Sequence, residues 1–199
     1  MSTEKIIRLS GLLALLAGGF WALYEIGELV GVVPRAWDPA LDLAAHMLVG
    51  IAVVGLYARQ ANKAGVLGLI AFVVYMVAMM VNQGMKHIYT YVVPTLSAQF
   101  TDAALAIGAT PAWVMFQAAW MWLTFLAPIL FGIATLRARV LPRWAAILII
   151  LGPIVSMTVA IAAGNPGAVL SALGIAGLGY GAWSSTAEMA PSGQPQPAV

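Results

Sequence analysis

The chain has 199 residues, of which 62% are hydrophobic and only 8% charged, with a formal net charge of +2. Soluble domains carry about 25% charged and about 45–50% apolar residues, so this composition excludes a water-solvated fold and makes lipid the solvent for most of the surface. With no cysteine, disulfides, thiolate metal sites and cysteine nucleophiles are excluded too. The small basic excess has a better use, given below, than binding nucleic acid.

Lys5 and Arg8 precede the first apolar run, as in the n-region of a signal peptide. The run continues from Leu9 to Val33, too long for a cleaved core of about 7–15 residues, and reads as a retained first helix. Six apolar stretches follow one another: Ile7–Val33, Leu41–Arg59, Ala64–Tyr91, Pro111–Leu136, Arg143–Ala163 and Gly167–Ser184. Crossing about 30 Å of hydrocarbon takes roughly 20 helical residues. The pattern therefore predicts an all-α, polytopic bundle of six transmembrane helices, the third long enough to project beyond the bilayer.

The connections set the orientation. Lys5 and Arg8 lie before helix 1, Arg59 and Lys63 at the turn between helices 2 and 3, and Arg137, Arg139 and Arg143 between helices 4 and 5. Those are seven of the nine basic residues, all on one side; Arg35 and Lys86 fall on the other. The positive-inside rule puts the seven in the cytoplasm, and an even helix count returns the C-terminus there. Trp37 and Trp113 fall at the expected outer interface and Trp144 and Trp183 at the inner one, where indole rings prefer to sit. Trp21, Trp120 and Trp122 fall deeper and read as packing residues.

Between helices 3 and 4, from Gly84 to Thr110, Leu96, Phe100, Ala103, Ala104 and Ile107 recur at helical spacing. They predict a short extracytoplasmic helix on the outer surface. Residues 1–184 form the transmembrane domain, and the proline-bearing stretch 185–199 reads as a disordered cytoplasmic tail. Pro128 and Pro153 interrupt helices 4 and 5. Gly177 with Gly181, and Gly27 with Gly31, are small-x-x-x-small pairs that suit close helix packing inside the chain better than a dimer face.

Ionisable side chains in a lipid-embedded helix need a reason. Helix 1 carries Glu25 and Glu28 on one face, helix 2 opens with Asp42 and His46 four apart, and helix 3 holds Asn82 with Lys86 and Gln83 with His87. Glu28 and His46 each lie about five residues from the outer end of their helix, roughly 8 Å deep at 1.5 Å per residue, and Asn82 reaches the same layer. Glu25, Glu28, Asp42, His46, Asn82 and Lys86 thus form one polar cluster near the outer face. It can be structural, with Glu25 and Glu28 pairing to His46, Asn82 and Lys86. It can also be a site for a ligand, cation or proton, open to the outside. No cofactor is predicted, although haem, a pigment or a metal at His46 remains compatible; the two histidines, His46 and His87, differ in height by roughly 10–15 Å, which argues against bis-histidine haem. No G-x-S-x-G or H-E-x-x-H occurs, so no catalytic residue is assigned and the expectation is a non-enzyme.

The run Gly55-Leu-Tyr-Ala-Arg-Gln-Ala, followed by Gly65-Val-Leu-Gly-Leu, and the run Gly132-Ile-Ala-Thr-Leu-Arg-Ala-Arg-Val-Leu-Pro-Arg-Trp-Ala, resemble cytoplasmic turns of small bacterial six-helix membrane proteins in families of unknown function. With the hydropathy, the resemblance covers the chain up to its tail. It implies a multi-pass protein of the bacterial plasma membrane and carries no activity or functional residue. The expectation is a non-enzymatic membrane component, an accessory subunit or a small-ligand-binding protein. Its surroundings are the lipid bilayer and possible membrane-protein partners or further copies of itself. The alternative is an ion- or proton-coupled transporter or sensor using Glu25, Glu28 and His46.

Overall fold

The computed structural model describes residues 3–34, 37–92, 110–159 and 165–184, with the isolated positions 95, 102, 106 and 108. Among them every regular element is a helix: α1 (Thr3–Leu29), α2 (Asp38–His87) continued by a π turn (Ile88–Val92), α3 (Pro111–Ala138), α4 (Arg143–Thr158) and α5 (Pro166–Ser184). Three of these helices are long and apolar enough to cross a membrane: α1, α2 and α3. Their outward side chains are apolar, among them Leu16, Leu23, Val66, Met80 and Met115. A surface of this kind is costly in water and natural in hydrocarbon, and is consistent with a membrane protein.

The 50 residues of α2 are two helices rather than one. At Gly65 the backbone leaves helical geometry (φ 60°, ψ −154°), a positive φ that glycine adopts without the Cβ penalty other residues meet. The chain doubles back there. Lys86 donates a hydrogen bond to Asp42, a pair that a straight helix would hold about 66 Å apart. Tyr57 stacks on Phe72 with ring centroids 4.4 Å apart. The first arm, 38–64, and the second, 66–87, therefore lie side by side and antiparallel, matching two of the expected stretches.

The helices close into a ring. α1 packs on α2 and α5, α2 on α3, α3 on α4, and α4 on α5. Small residues bring the backbones together: a Cβ added to Gly11 would fall 2.6 Å from the Trp183 nitrogen, and one added to Gly18 or Gly179 would also strike backbone of the opposite helix. Gly177 and Gly181 face Trp144, Ala145 and Pro142, within the chain. The Gly27–Gly31 pairing does not form, because α1 ends at Leu29 and Gly31 sits in the following turn with φ +73°.

Contacts also sort the two ends of the ring. Ser10 lies against Gly55, Gln60 bonds Thr135, and Pro142 lies against Gly181. The start of α1, the Gly65 turn and the α3–α4 turn thus share one end, and the seven basic residues from Lys5 to Arg143 gather there. Lys86 is at the other end. α4, at 16 residues, is shorter than the expected Arg143–Ala163 stretch, and 160–164 lie outside the described residues. So do Arg35, the tail 185–199 and nearly all of the expected surface helix within 93–109.

Candidate functional site

Within the ring lies an open cavity of about 330 Å³ lined by side chains from all five helices. Its polar wall begins on α1, where Trp21 and Glu25 are one turn apart. The Trp21 indole Nε1 donates to Glu25 Oε1 over 2.8 Å, and both side chains are buried. Asp42 and His46 are likewise one turn apart on the first arm of α2. His46 Nδ1 lies 2.9 Å from the Asp42 carbonyl oxygen and 3.0 Å from Asp42 Oδ1. Two acceptors facing Nδ1 put the proton there, so in the neutral ring Nε2 is left as an acceptor. The His46 ring packs against Trp21, with centroids 4.8 Å apart at 55°.

The second arm brings Asn82 and Lys86 to the same level. Lys86 Nζ donates to Asp42 Oδ2, and Asn82 Oδ1 accepts from the Trp120 indole Nε1 of α3 over 3.2 Å. Asp42 and Lys86 meet because Asp42 lies one turn from the start of α2 and Lys86 one residue from its end. The hairpin sets these two positions level.

On the opposite wall Ser156 of α4 donates to Asn165 Oδ1 over 2.7 Å. The same oxygen accepts from the Ala168 backbone nitrogen over 3.2 Å, so Asn165 caps α5 at its Pro166 start. Thr124, Pro128 and Pro153 also line the cavity. The Thr124 hydroxyl is buried without a hydrogen-bond partner. Pro128 has no N–H to offer the Thr124 carbonyl four residues earlier.

Toward the basic end the ring axis fills. Val53 and Leu56 of the first arm, Phe131 of α3, Ile149 of α4 and Ile175 of α5 are all essentially fully buried. Tyr75, on the cavity wall, tilts against Phe131 with centroids 5.3 Å apart. One turn beyond, Gln60 Nε2 donates to Thr135 Oγ1 over 3.1 Å, both residues buried. The cavity therefore has a floor, and its polar groups lie toward the end away from the arginines.

Of the six residues singled out in the sequence, Glu25, His46, Asn82 and Lys86 line the cavity. Asp42 sits behind the wall, holding His46 and Lys86. Glu28 is half-buried beside Tyr24, whose hydroxyl donates to Asp38, and is not on the cavity wall. The expected pairing of Glu25 and Glu28 with His46, Asn82 and Lys86 is corrected accordingly. Asp42 takes His46 by one-turn spacing within its own helix, and Lys86 through the hairpin, while Glu25 is bonded by its own neighbour Trp21. Among the described residues, no three His, Asp or Glu side chains converge as a metal-ligand set.

The sequence reading passed over Trp21 and Trp120 as packing residues and did not single out Asn165. Their signal, an indole or amide at the depth of a buried acceptor, becomes legible only once helix rotation is known. No protein-family model, curated protein or solved structure matches this chain.

Proposed function

We propose that this chain is a non-enzymatic component of a bacterial plasma membrane that binds a small molecule in the cavity at the centre of its helix ring. Six spans are counted by taking the two arms of α2 separately and adding α4 and α5 to α1 and α3. The gathered arginines and lysines favour placing both termini and the Gly65 and Arg139 turns in the cytoplasm. The cavity then faces outward.

The observation that carries the reading is the cavity itself: about 330 Å³, within the range of small-molecule sites, mostly apolar, with a few convergent polar groups at one end and a packed floor at the other. A purely structural polar cluster does not need an adjoining void. The competing reading, an ion- or proton-coupled transporter or sensor using Glu25, Glu28 and His46, draws support from Pro128 and Pro153 on the cavity wall, where α3 and α4 can bend. It also needs a polar path past Phe131 and the Gln60–Thr135 pair.

Mild detergent extraction followed by native mass and absorption measurements tests the binding reading. The expected result is a chain that carries bound small-molecule mass, or that takes up apolar probes saturably with a change in tryptophan emission. A bare chain that takes up no probe overturns it.

A further inference from the structure

We propose that the ligand of this cavity is an organic ammonium ion with a compact apolar body, its charge set against the Glu25 carboxylate. The inference rests on the ligand-binding reading above and specifies the chemistry of the guest.

The indole and imidazole donors of the wall are committed. The Trp21 N–H is given to Glu25, the Trp120 N–H to Asn82 and the His46 Nδ1–H to Asp42. The Lys86 ammonium gives one of its three N–H bonds to Asp42, and the Asn82 amide keeps its own. Acceptors on the same wall are the Glu25 carboxylate, Nε2 of His46, the Thr124 hydroxyl and the Thr124 carbonyl that Pro128 leaves without its helical N–H. A guest that donates finds acceptors here.

Charge points the same way. The Lys86 ammonium is paired with Asp42. Glu25 is 5% exposed, is hydrogen-bonded by the neutral Trp21 indole, and feels the Lys86 ammonium only through space. A carboxylate in a medium of low dielectric is stabilised strongly by a cation that comes to it. The rest of the wall suits the body of such a cation. Trp21, Tyr75 and Trp120 line the cavity; aromatic rings attract ammonium groups, and methionine side chains adapt to apolar shapes.

The test compares a cation with its neutral isostere on the whole chain in nanodiscs of uncharged lipid, with empty discs as the blank. Adamantanemethylamine and adamantanemethanol share one cage and differ in the head group. The expected result is saturable binding by calorimetry, with the amine tighter by about tenfold or more, as a charge-assisted hydrogen bond gives. In Glu25→Gln, which keeps an oxygen to accept from Trp21, that preference disappears. Glu28→Gln, off the cavity wall, keeps the preference.

Equal binding of amine and alcohol to the unaltered chain overturns the cation proposal and leaves the cavity a ligand site. Binding of neither overturns both. The first comparison needs no variant, so a failure of Glu25→Gln to fold, read from its thermal melt, does not remove the test.

Discussion

Lys86 and Asp42 stand 44 positions apart in the chain and are joined by a hydrogen-bonded ion pair. That bond clasps the open end of the α2 hairpin, one turn from Asp38 and at the level where the cavity has its polar wall. Asp42 is the busier partner, since it also receives His46 Nδ1. Asp42→Asn is therefore expected to cost more stability than Lys86→Met, because it weakens both contacts. Polar contacts between spanning helices are worth about 1 kcal/mol each, so a double-mutant cycle on Asp42 and Lys86 should return a coupling of about that size. Strictly additive losses in detergent unfolding would show that the clasp does not hold the hairpin.

Neighbouring glycines on α1 give a sharper contrast. A Cβ at Gly18 would strike the backbone of α5 at Ala172 and Ala176, whereas one at Gly19 meets nothing within 4 Å. Gly18→Ala is expected to destabilise the chain by about 1–3 kcal/mol through overpacking. Gly19→Ala should be neutral, or stabilising by up to about 1 kcal/mol through helix propensity. Thermal melts of the two variants check this directly; equal effects would mean that α1 and α5 do not meet along this face.

The floor makes a third case. Gln60 Nε2 donates to Thr135 Oγ1, while Gln60 Oε1 is buried without a partner. Thr135→Val strips the amide of its acceptor and is expected to cost about 1–3 kcal/mol. Adding Gln60→Leu removes the orphaned amide, and the double variant should recover most of that loss. If the pair instead forms part of a water-filled path, the double variant will lose function or stability further, which favours the transporter reading.

The helices were legible in the sequence because a lipid-facing segment must be apolar along about 20 residues, and the turns because Arg59, Lys63 and Arg137–Arg143 interrupt that run. Asp42 with His46 was legible for the same local reason: one helical turn joins them. The partner of Lys86 was not. Choosing Asp42 over Glu25 or Glu28 depends on the rotation of α1 about its axis, which glycine contacts with α5 fix and hydropathy does not record. The cavity was illegible as well. It arises from the closing of a ring by α1 and α5, first and last of the described helices, and no periodicity within one helix specifies which helices will be neighbours.

Access to that cavity can be measured cleanly because the chain has no cysteine, so each introduced thiol reports alone. Ser156 lines the cavity, Thr135 lies beneath its floor and is 1% exposed, and Arg139 sits in the turn after α3. With a membrane-impermeant thiol reagent, Ser156→Cys is expected to label from the periplasmic side of spheroplasts and Arg139→Cys from the cytoplasmic side of inverted vesicles. Thr135→Cys should label from neither. The reasoning is that the arginine-bearing turns stay where the positive-inside rule puts them, and that Phe131 and Tyr75 block the way from Ser156 to Thr135. Adding adamantanemethylamine should slow labelling at Ser156 while leaving Arg139 unchanged, since it competes for the cavity alone. Periplasmic labelling of Arg139→Cys would invert the topology and turn the cavity toward the cytoplasm. Labelling of Thr135→Cys from the periplasmic side would open the floor, and the chain would then have to be treated as a conduit.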